Sequence, residues 1–503
     1  MLSAFAESGA LLAAHWKLIL TIAYLAWAVA VIVALILARR SSAATLAWAL
    51  ALLALPYVGA AIYLFFGPRR LHRKKLRYAH ARRQIRQVAP GLGTTVGGAM
   101  GEAIRVRYRQ LARLATELGQ PAPLRADEPV TLYIDGDDCY AAIEAAIRAA
   151  TDHVHLEYYI WDPGRAGDRL RDALAERARA GVKVRLLLDD VGSDGASDDY
   201  FATLTRAGGE LAWFNPLRIS RFRPTLLNFR THRKIVVVDG RIGFIGGMNV
   251  SDVQSSDGSV LSGTRARGDR LESPLEWRDT HMRIVGAPVG ALQRVFLDDW
   301  SFAFGTCKVE PTHFPASERD PTGPSVQIIA SGPDDSVFAI QQFKFAAIAS
   351  SRQSLSITTP YLVPDEATLS ALKSAALRGV NVRLLVPKQG DSKLVTAAGR
   401  SYYDELVAAG VVLFEYGPAM LHAKTMVIDD TVAVVGTANL DNRSFRLNFE
   451  VIAVVYDVAA AGQLGAIFDQ DLRSAVRYRP PTGKRPIGER LMFGIARLVS
   501  PLL

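Results

Sequence analysis

The chain has 503 residues, half of them hydrophobic and 21% charged, with a formal net charge of +10. That is too apolar for a disordered chain and long enough for two or three domains. Cys139 and Cys307 are the only cysteines, which excludes a disulfide scaffold and a cysteine-built zinc or iron–sulfur site; both are expected as packed thiols. The positive charge is concentrated at one end: residues 1–129 hold 17 Lys and Arg against 5 Asp and Glu, and residues 130–503 hold 42 against 44. A protein that tracks a nucleic-acid backbone carries its basic surplus on the body, so no nucleic-acid partner is expected.

In chain order, Leu18 to Ala38 and Ala43 to Phe66 come first, each free of charge. Each is as long as the run of about 20 apolar residues that crosses a bilayer as a helix. Only Arg39-Arg40-Ser41-Ser42 separates them, so residues 1–68 are predicted to form a two-helix transmembrane hairpin with both outer ends on one side. Residues 69–129 are predicted to be a basic juxtamembrane connector. Arg69 to Arg86 holds nine Lys and Arg and no acid, which by the positive-inside rule places everything after it in the cytoplasm. The same run suits an anionic lipid surface.

From Val130 the pattern changes to short apolar strands alternating with amphipathic helices, and it occurs twice. Val154–Trp161 (strand), Arg169–Ala180 (helix) and Val182–Leu188 (strand) are matched by Leu355–Leu362, Glu366–Arg378 and Val380–Val386. Ala180-Gly181-Val182-Lys183-Val184-Arg185-Leu186-Leu187 lines up with Arg378-Gly379-Val380-Asn381-Val382-Arg383-Leu384-Leu385. Such duplication predicts two α/β domains with right-handed crossovers, at residues 130–312 and 325–503, split by a Pro-, Thr- and Ser-rich stretch.

Each half carries one dense polar pattern. The first is His232-Arg233-Lys234 leading through an apolar run to Asp239, then Gly246-Gly247-Met248-Asn249; the second is His422-Ala423-Lys424 leading to Asp429, then Gly436-Thr437-Ala438-Asn439. Residues two apart on a strand share a face, so each copy is expected to aim an imidazole and an ammonium at one place, with the Gly-rich turn returning the Asn. Asp239 and Asp429 fall on the opposite face at the strand end, where a carboxylate serves a turn. Two His, two Lys and two Asn converging on one point suit a phosphodiester. Imidazole is nucleophile or proton donor near neutral pH, and Lys234, Lys424, Asn249 and Asn439 would hold the phosphate oxygens. The ammonium groups supply the positive charge, so neither metal nor cofactor is expected. His153, His155 and His281, beside predicted strands, are expected to pack or hydrogen-bond.

The paired pattern resembles the HKD motif of the phospholipase D superfamily and, more narrowly, the bacterial cardiolipin synthases within it. The segments that carry the resemblance are LPYVGAAIYLFFG, NFRTHRKIVVVDGRIGFIGGMN, WRDTHMRIVG, TTPYLVPDE, LHAKTMVIDDTVAVVGTANLDNRSFRLNFE and RLVSPLL. It implies two phospholipase D-like α/β/α sandwich domains sharing one active site, with His232, Lys234, Asp239, His422, Lys424 and Asp429 as the catalytic set. One His becomes phosphohistidine, here taken as His232, and the other serves as acid and base. An acidic residue behind each would orient it, Asp279 for His232 and Glu450 for His422. The implied substrates are membrane phospholipids: two phosphatidylglycerol molecules give cardiolipin and glycerol at the bacterial inner membrane, in a chain that could form a homo-oligomer. A lipid hydrolase and a nuclease of the same superfamily are the alternatives. The long polar stretch Gln254 to Glu276 departs from the family pattern and is predicted to be a loop beside the first half-site. Ile487 to Leu503 has apolar residues at helical spacing, to be packed on the body, on a second copy, or on the membrane surface.

Overall fold

The computed structural model describes residues 2–37, 45–46, 49–50, 52, 101–216, 229–254, 277–305, 308–317, 320–335, 337–483 and 485–500. Most of the second apolar segment, the basic run, residues 255–276, Cys307 and residues 501–503 lie outside that set, with the expectations attached to them. The chain divides into two compact units, residues 1–70 forming one and the rest of the described chain the other. The first is built on a helix, Leu2–Leu37, whose side chains Leu18, Ile22, Leu25, Val29, Val33 and Ile36 are exposed. Counting described residues alone, no helix is both long and apolar enough to cross a membrane, so the expected two-helix hairpin is not seen among them.

The second unit opens with a helix, Glu102–Glu117, and strand β1 (Leu124–Arg125). The first half supplies β2 (Thr131–Tyr133), β3 (His153–Tyr158), β4 (Lys183–Asp189), β5 (Glu210–Phe214), β6 (Ile235–Val238), β7 (Ile242–Gly246), β8 (Trp277–Arg278) and β9 (His281–Val285). The second supplies β10 (Ser325–Ser331), β11 (Ser354–Thr358), β12 (Leu362–Val363), β13 (Asn381–Pro387), β14 (Val412–Tyr416), β15 (Met420–Leu421), β16 (Thr425–Ile428), β17 (Val432–Gly436), β18 (Leu440–Asp441), β19 (Glu450–Tyr456) and β20 (Ala475–Arg477). The main sheets run β2-β9-β7-β6-β3-β4-β5 and β1-β10-β19-β17-β16-β11-β13-β14-β20. Strand for strand the second repeats the first, with β1 and β20 added at its edges. The parallel pairs β3–β4 and β11–β13 are joined by the helices Arg165–Arg179 and Glu366–Leu377, where the duplicated pattern predicted crossovers.

Alternation along the strands decides what each face buries. Val236 and Val238 pack with the helices of the first half, and Met426 and Ile428 with those of the second. Ile235 and Val237 turn the other way, into a core shared with Val427, Val435, Val451 and Ala453 of the second half. At roughly 1.5–3 kcal/mol for each large apolar side chain removed from water, this shared layer holds the two sheets face to face as one body.

The two aspartates of the paired motif sit in the hairpin turns that follow β6 and β16. Asp239 and Gly240 both have positive φ (51° and 64°), as do Asp429 and Asp430 (49° and 51°), the left-handed conformation that a type I′ turn requires at both central residues. The Asp239 carboxylate accepts from the N–H groups of Thr151, Asp152 and His153, and that of Asp429 from Arg352, Gln353 and Ser354. Arg107 and Tyr108, from the helix Glu102–Glu117, also donate to Asp429. Both carboxylates are spent on turns and loops, where they fix the ends of β6 and β16.

Candidate active site

His232 and Lys234 were expected on a strand, but β6 begins only at Ile235, and His422 and Lys424 likewise precede β16. The lead-ins pair across the halves instead. Thr231 bridges in parallel to Phe449, and the His232 N–H donates to the Phe449 carbonyl at 2.9 Å. In the second half β15 pairs in parallel with β8 of the first, and the His422 N–H donates to the Arg278 carbonyl at 2.8 Å. The residue after Phe449 is Glu450, and the residue after Arg278 is Asp279. Each cross-half backbone bond therefore delivers an acid of one half to the histidine of the other.

His232 Nδ1 lies 3.0 Å from the Glu450 carboxylate, and His422 Nδ1 lies 2.7 Å from Asp279. The pairing expected from the sequence is thus crossed: Glu450 serves His232, and Asp279 serves His422. Glu450 is held by the Thr437 hydroxyl and by Asn448 Nδ2, the latter at 3.1 Å. Asp279 stands where Thr437 has its counterpart Gly247, and a Cβ there would fall 2.0 Å from Asp279 Oδ1. That close approach explains why the first motif needs Gly-Gly where the second has Gly-Thr.

With Nδ1 as donor to a carboxylate, Nε2 of each ring keeps its lone pair. Burial pushes His232 down to about 4 and His422 to about 3, with the nearby lysines adding to the shift and the carboxylates opposing it. Burial also drives Lys234 down to about 7 and Lys424 to about 8, partly countered by Glu450 and Asp279. Burial alone would raise both carboxyls, but their imidazole and ammonium neighbours hold them below the usual carboxylate range. Each ammonium also donates to the carbonyl of its own histidine, Lys234 at 2.8 Å. Four basic groups are thus packed together out of water, and an entering phosphodiester anion would favour the protonated form of each.

Asn249 and Asn439 are buried in the loops after β7 and β17. Asn249 Oδ1 accepts from the Ile160 N–H at 3.2 Å, which leaves its NH2 as the free end, and Asn439 Nδ2 donates to Asp441 at 3.1 Å. Tyr140 donates to the Asn249 carbonyl at 2.5 Å, and Lys344 to the carbonyls of Ala438 and Asn439 at 2.6 and 3.1 Å. Each Asn loop is therefore pinned from the first helix of its own half. Tyr159 meets His232 edge-on at 5.2 Å between ring centres, and Trp277 lies 4.7 Å from the His422 ring. Sequence reasoning missed Tyr140, Lys344, Tyr159, Trp277, Thr437 and Asn448; the one signal for Trp277 and Asn448 was that WRD and NFE occupy matching places in the two halves. His153 and His155 are buried and share Gln293 as partner, while both ring nitrogens of buried His281 lack one. Among the described residues no cluster of metal-ligating side chains occurs, and Cys139 is a buried free thiol.

A duplicated sheet with two crossed His–carboxylate pairs and two buried lysines defines a two-repeat enzyme of the phospholipase D class. The profile described as "Cardiolipin synthase, PLD-like domain" matches residues 143–256 and 345–472, and that described as "Phospholipase_D-nuclease N-terminal" matches residues 25–68. The chain is 38% identical over 470 residues to a cardiolipin synthase of a Geobacillus species, covering 93% of this chain and 90% of that one. It is 36% identical over 481 residues to the major cardiolipin synthase of Bacillus subtilis, covering 92% and 95%. A crystal structure of phosphatidylserine synthase from Haemophilus influenzae has the same fold, with a TM-score of 0.58 at 15% identity over 78% of this chain and all of that one. The chain belongs to the cardiolipin synthase family.

Proposed function

We propose that the enzyme transfers a phosphatidyl group from one phosphatidylglycerol to the hydroxyl of another, giving cardiolipin and glycerol. The observation that carries this reading is the crossed arrangement, in which two imidazoles each keep an available Nε2 beside two buried ammonium groups. With the phosphate bound, its negative charge lets His422 Nε2 take up a proton from solvent; His232 Nε2 then attacks phosphorus, the P–O bond to glycerol breaks, and the leaving oxygen takes that proton. The terminal hydroxyl of the second phosphatidylglycerol then gives its proton to His422 and attacks the phosphohistidine, which frees His232. Glu450 and Asp279 orient the two rings. Lys234, Lys424 and the Asn249 and Asn439 amides hold the phosphate oxygens, and the phosphate's negative charge raises the imidazoles so that one can carry the transferred proton.

Residues 1–68 are proposed as a two-helix anchor in the bacterial inner membrane. The exposed apolar side chains of Leu2–Leu37 support this, and the basic run that follows favours a cytoplasmic catalytic body. One phosphodiester is broken and one formed, so the reaction is near balance and needs no activated donor. Water competes at about 55 M, so the site must pre-position the lipid hydroxyl against it. Purified protein given phosphatidylglycerol alone is expected to make more cardiolipin than phosphatidic acid, and added glycerol to convert cardiolipin back to phosphatidylglycerol. Dominant phosphatidic acid with no reversal would identify a hydrolase instead.

A further inference from the structure

The C-terminal helix Ile487–Val499 packs against the helix Lys393–Arg400 and the segment after it. Ala496 is buried there, Arg497 pairs with Glu405 at 2.8 Å and lies over the Tyr402 ring, and Tyr402 Oη meets Ser500 Oγ at 3.2 Å. Arg485 fixes the helix entrance on Asp404, which also accepts from Tyr478. The body thus takes one side of the helix. The other side presents Ile487, Leu491, Met492, Ile495 and Leu498, exposed by 81, 63, 49, 53 and 81%, and Leu394 on the supporting helix is exposed by 48%.

We infer that this face seats the catalytic body on an anionic phospholipid bilayer, separately from any anchoring by residues 1–70. Three observations select that occupant. First, an amphipathic helix with apolar residues on one side and arginines beside them lies in the plane of a membrane. Second, residues 473–503 contain seven Lys and Arg and one acid, although residues 130–503 as a whole are near neutral. Arg485 and Arg497 are used on Asp404 and Glu405, which leaves Arg473, Arg477, Arg479 and Arg490 exposed for lipid phosphates. A second copy docked by the same face would place a second Arg490, which the helix itself carries, in the same interface, as a twofold arrangement does, and like charges repel. Third, the supporting helix begins two residues after Asp391. Asp391 accepts from Tyr361 at 2.7 Å, and its charge helps keep Lys424 protonated. The proposed membrane face is therefore joined through one short helix to the rim of the active site. The inference rests on the proposal that the substrates are membrane lipids.

The test uses the full chain, with Cys307→Ser, reconstituted in phosphatidylcholine vesicles with and without phosphatidylglycerol. Leu491→Cys, Ile495→Cys and the control Arg179→Cys, on an exposed polar helix end, each carry an environment-sensitive fluorophore. Acyl-brominated lipid is expected to quench positions 491 and 495 but not 179, and more strongly when phosphatidylglycerol is present. No quenching at 491 and 495, quenching that ignores lipid charge, or cross-linking of position 491 between copies in place of quenching would each overturn the inference. The double variant Leu491→Asp/Ile495→Asp is expected to lose severalfold activity on vesicles and none on detergent-dispersed short-chain phosphatidylglycerol; equal loss on both would also overturn it. Cardiolipin formed without quenching defeats this inference alone, whereas quenching with no cardiolipin formed defeats the proposed reaction instead.

Discussion

Glu450 lies in one half and the histidine it orients in the other, so its removal is expected to act through His232. Glu450→Gln keeps the shape but offers an amide to His232 Nδ1, which destabilises the imidazolium and frees the ring to take the wrong tautomer. By analogy with other His–carboxylate pairs, kcat is expected to fall by about 10²–10⁴-fold with KM little changed. If His232 is the nucleophile, phosphatidyl-enzyme formation slows most in this variant; in Asp279→Asn it is the proton transfers at His422 that slow. Rapid-quench measurement of labelled enzyme separates the two, and label trapped on His422 in a His232→Ala protein would reverse the assignment. The lysines set a second, pH-dependent expectation. Lys234 at about 7 and Lys424 at about 8 are charged below those values and lose their protons above them, so kcat/KM is expected to decline as pH rises through roughly 7–8. An alkaline limb that begins only near pH 10 would show that neither ammonium titrates in the free enzyme as the burial implies.

At the scale of elements, what the sequence made legible was what repeats at a fixed spacing. The strands and crossover helices of both halves occur where apolar periodicity and the duplicated AGVKVRLL and RGVNVRLL runs put them. The carboxylate partners were not legible, because they depend on β8, β15 and the Thr231–Phe449 bridge. Pieces one or two residues long have no period to read, and duplication alone cannot say whether an acid serves its own half or the other. Tyr159 and Trp277 were hidden for a related reason: an aromatic in an apolar run looks like core until the fold turns it toward the histidine. The aspartates of the motif were legible once turn chemistry was weighed above motif membership. Asp429→Ala would strand the N–H groups of Arg352, Gln353 and Ser354 and put alanine at a φ of 49°. The expected cost is about 2–4 kcal/mol, and Asp429→Asn, which tolerates that φ and still accepts, should recover much of it. Chemical denaturation checks the stability, and the fraction that stays folded should keep its turnover per site; loss of turnover in a fully folded Asp429→Asn protein would return this residue to the chemistry.

For the whole molecule, the shared core and the crossed pairs make the two halves a single catalytic object. Neither histidine has its carboxylate without the other half, and Ile235, Val237, Val427 and Val451 lose their cover if the sheets part. The crossing seen within one chain could in principle also be satisfied between chains, with the first half of one copy completing the second half of another, and the two arrangements predict different behaviour in mixtures. If the site is closed within each chain, His232→Ala and His422→Ala proteins, each inactive, stay inactive when reconstituted into the same vesicles. If halves exchange, a mixed dimer would restore one intact site carrying His232 and Glu450 together with His422 and Asp279, up to about a quarter of wild-type activity at random pairing. The geometry favours the first outcome. The cross-half contacts begin at the backbone, at 2.8 and 2.9 Å, and are backed by an apolar layer that must stay closed for the sheets to remain dry. Exchange would have to break that layer in two chains at once. Mixing the two proteins before and after unfolding and refolding makes the test decisive. Activity that appears only after co-refolding means the halves can swap but do not do so once folded. Activity that appears on simple mixing would show that the working enzyme is assembled from two copies.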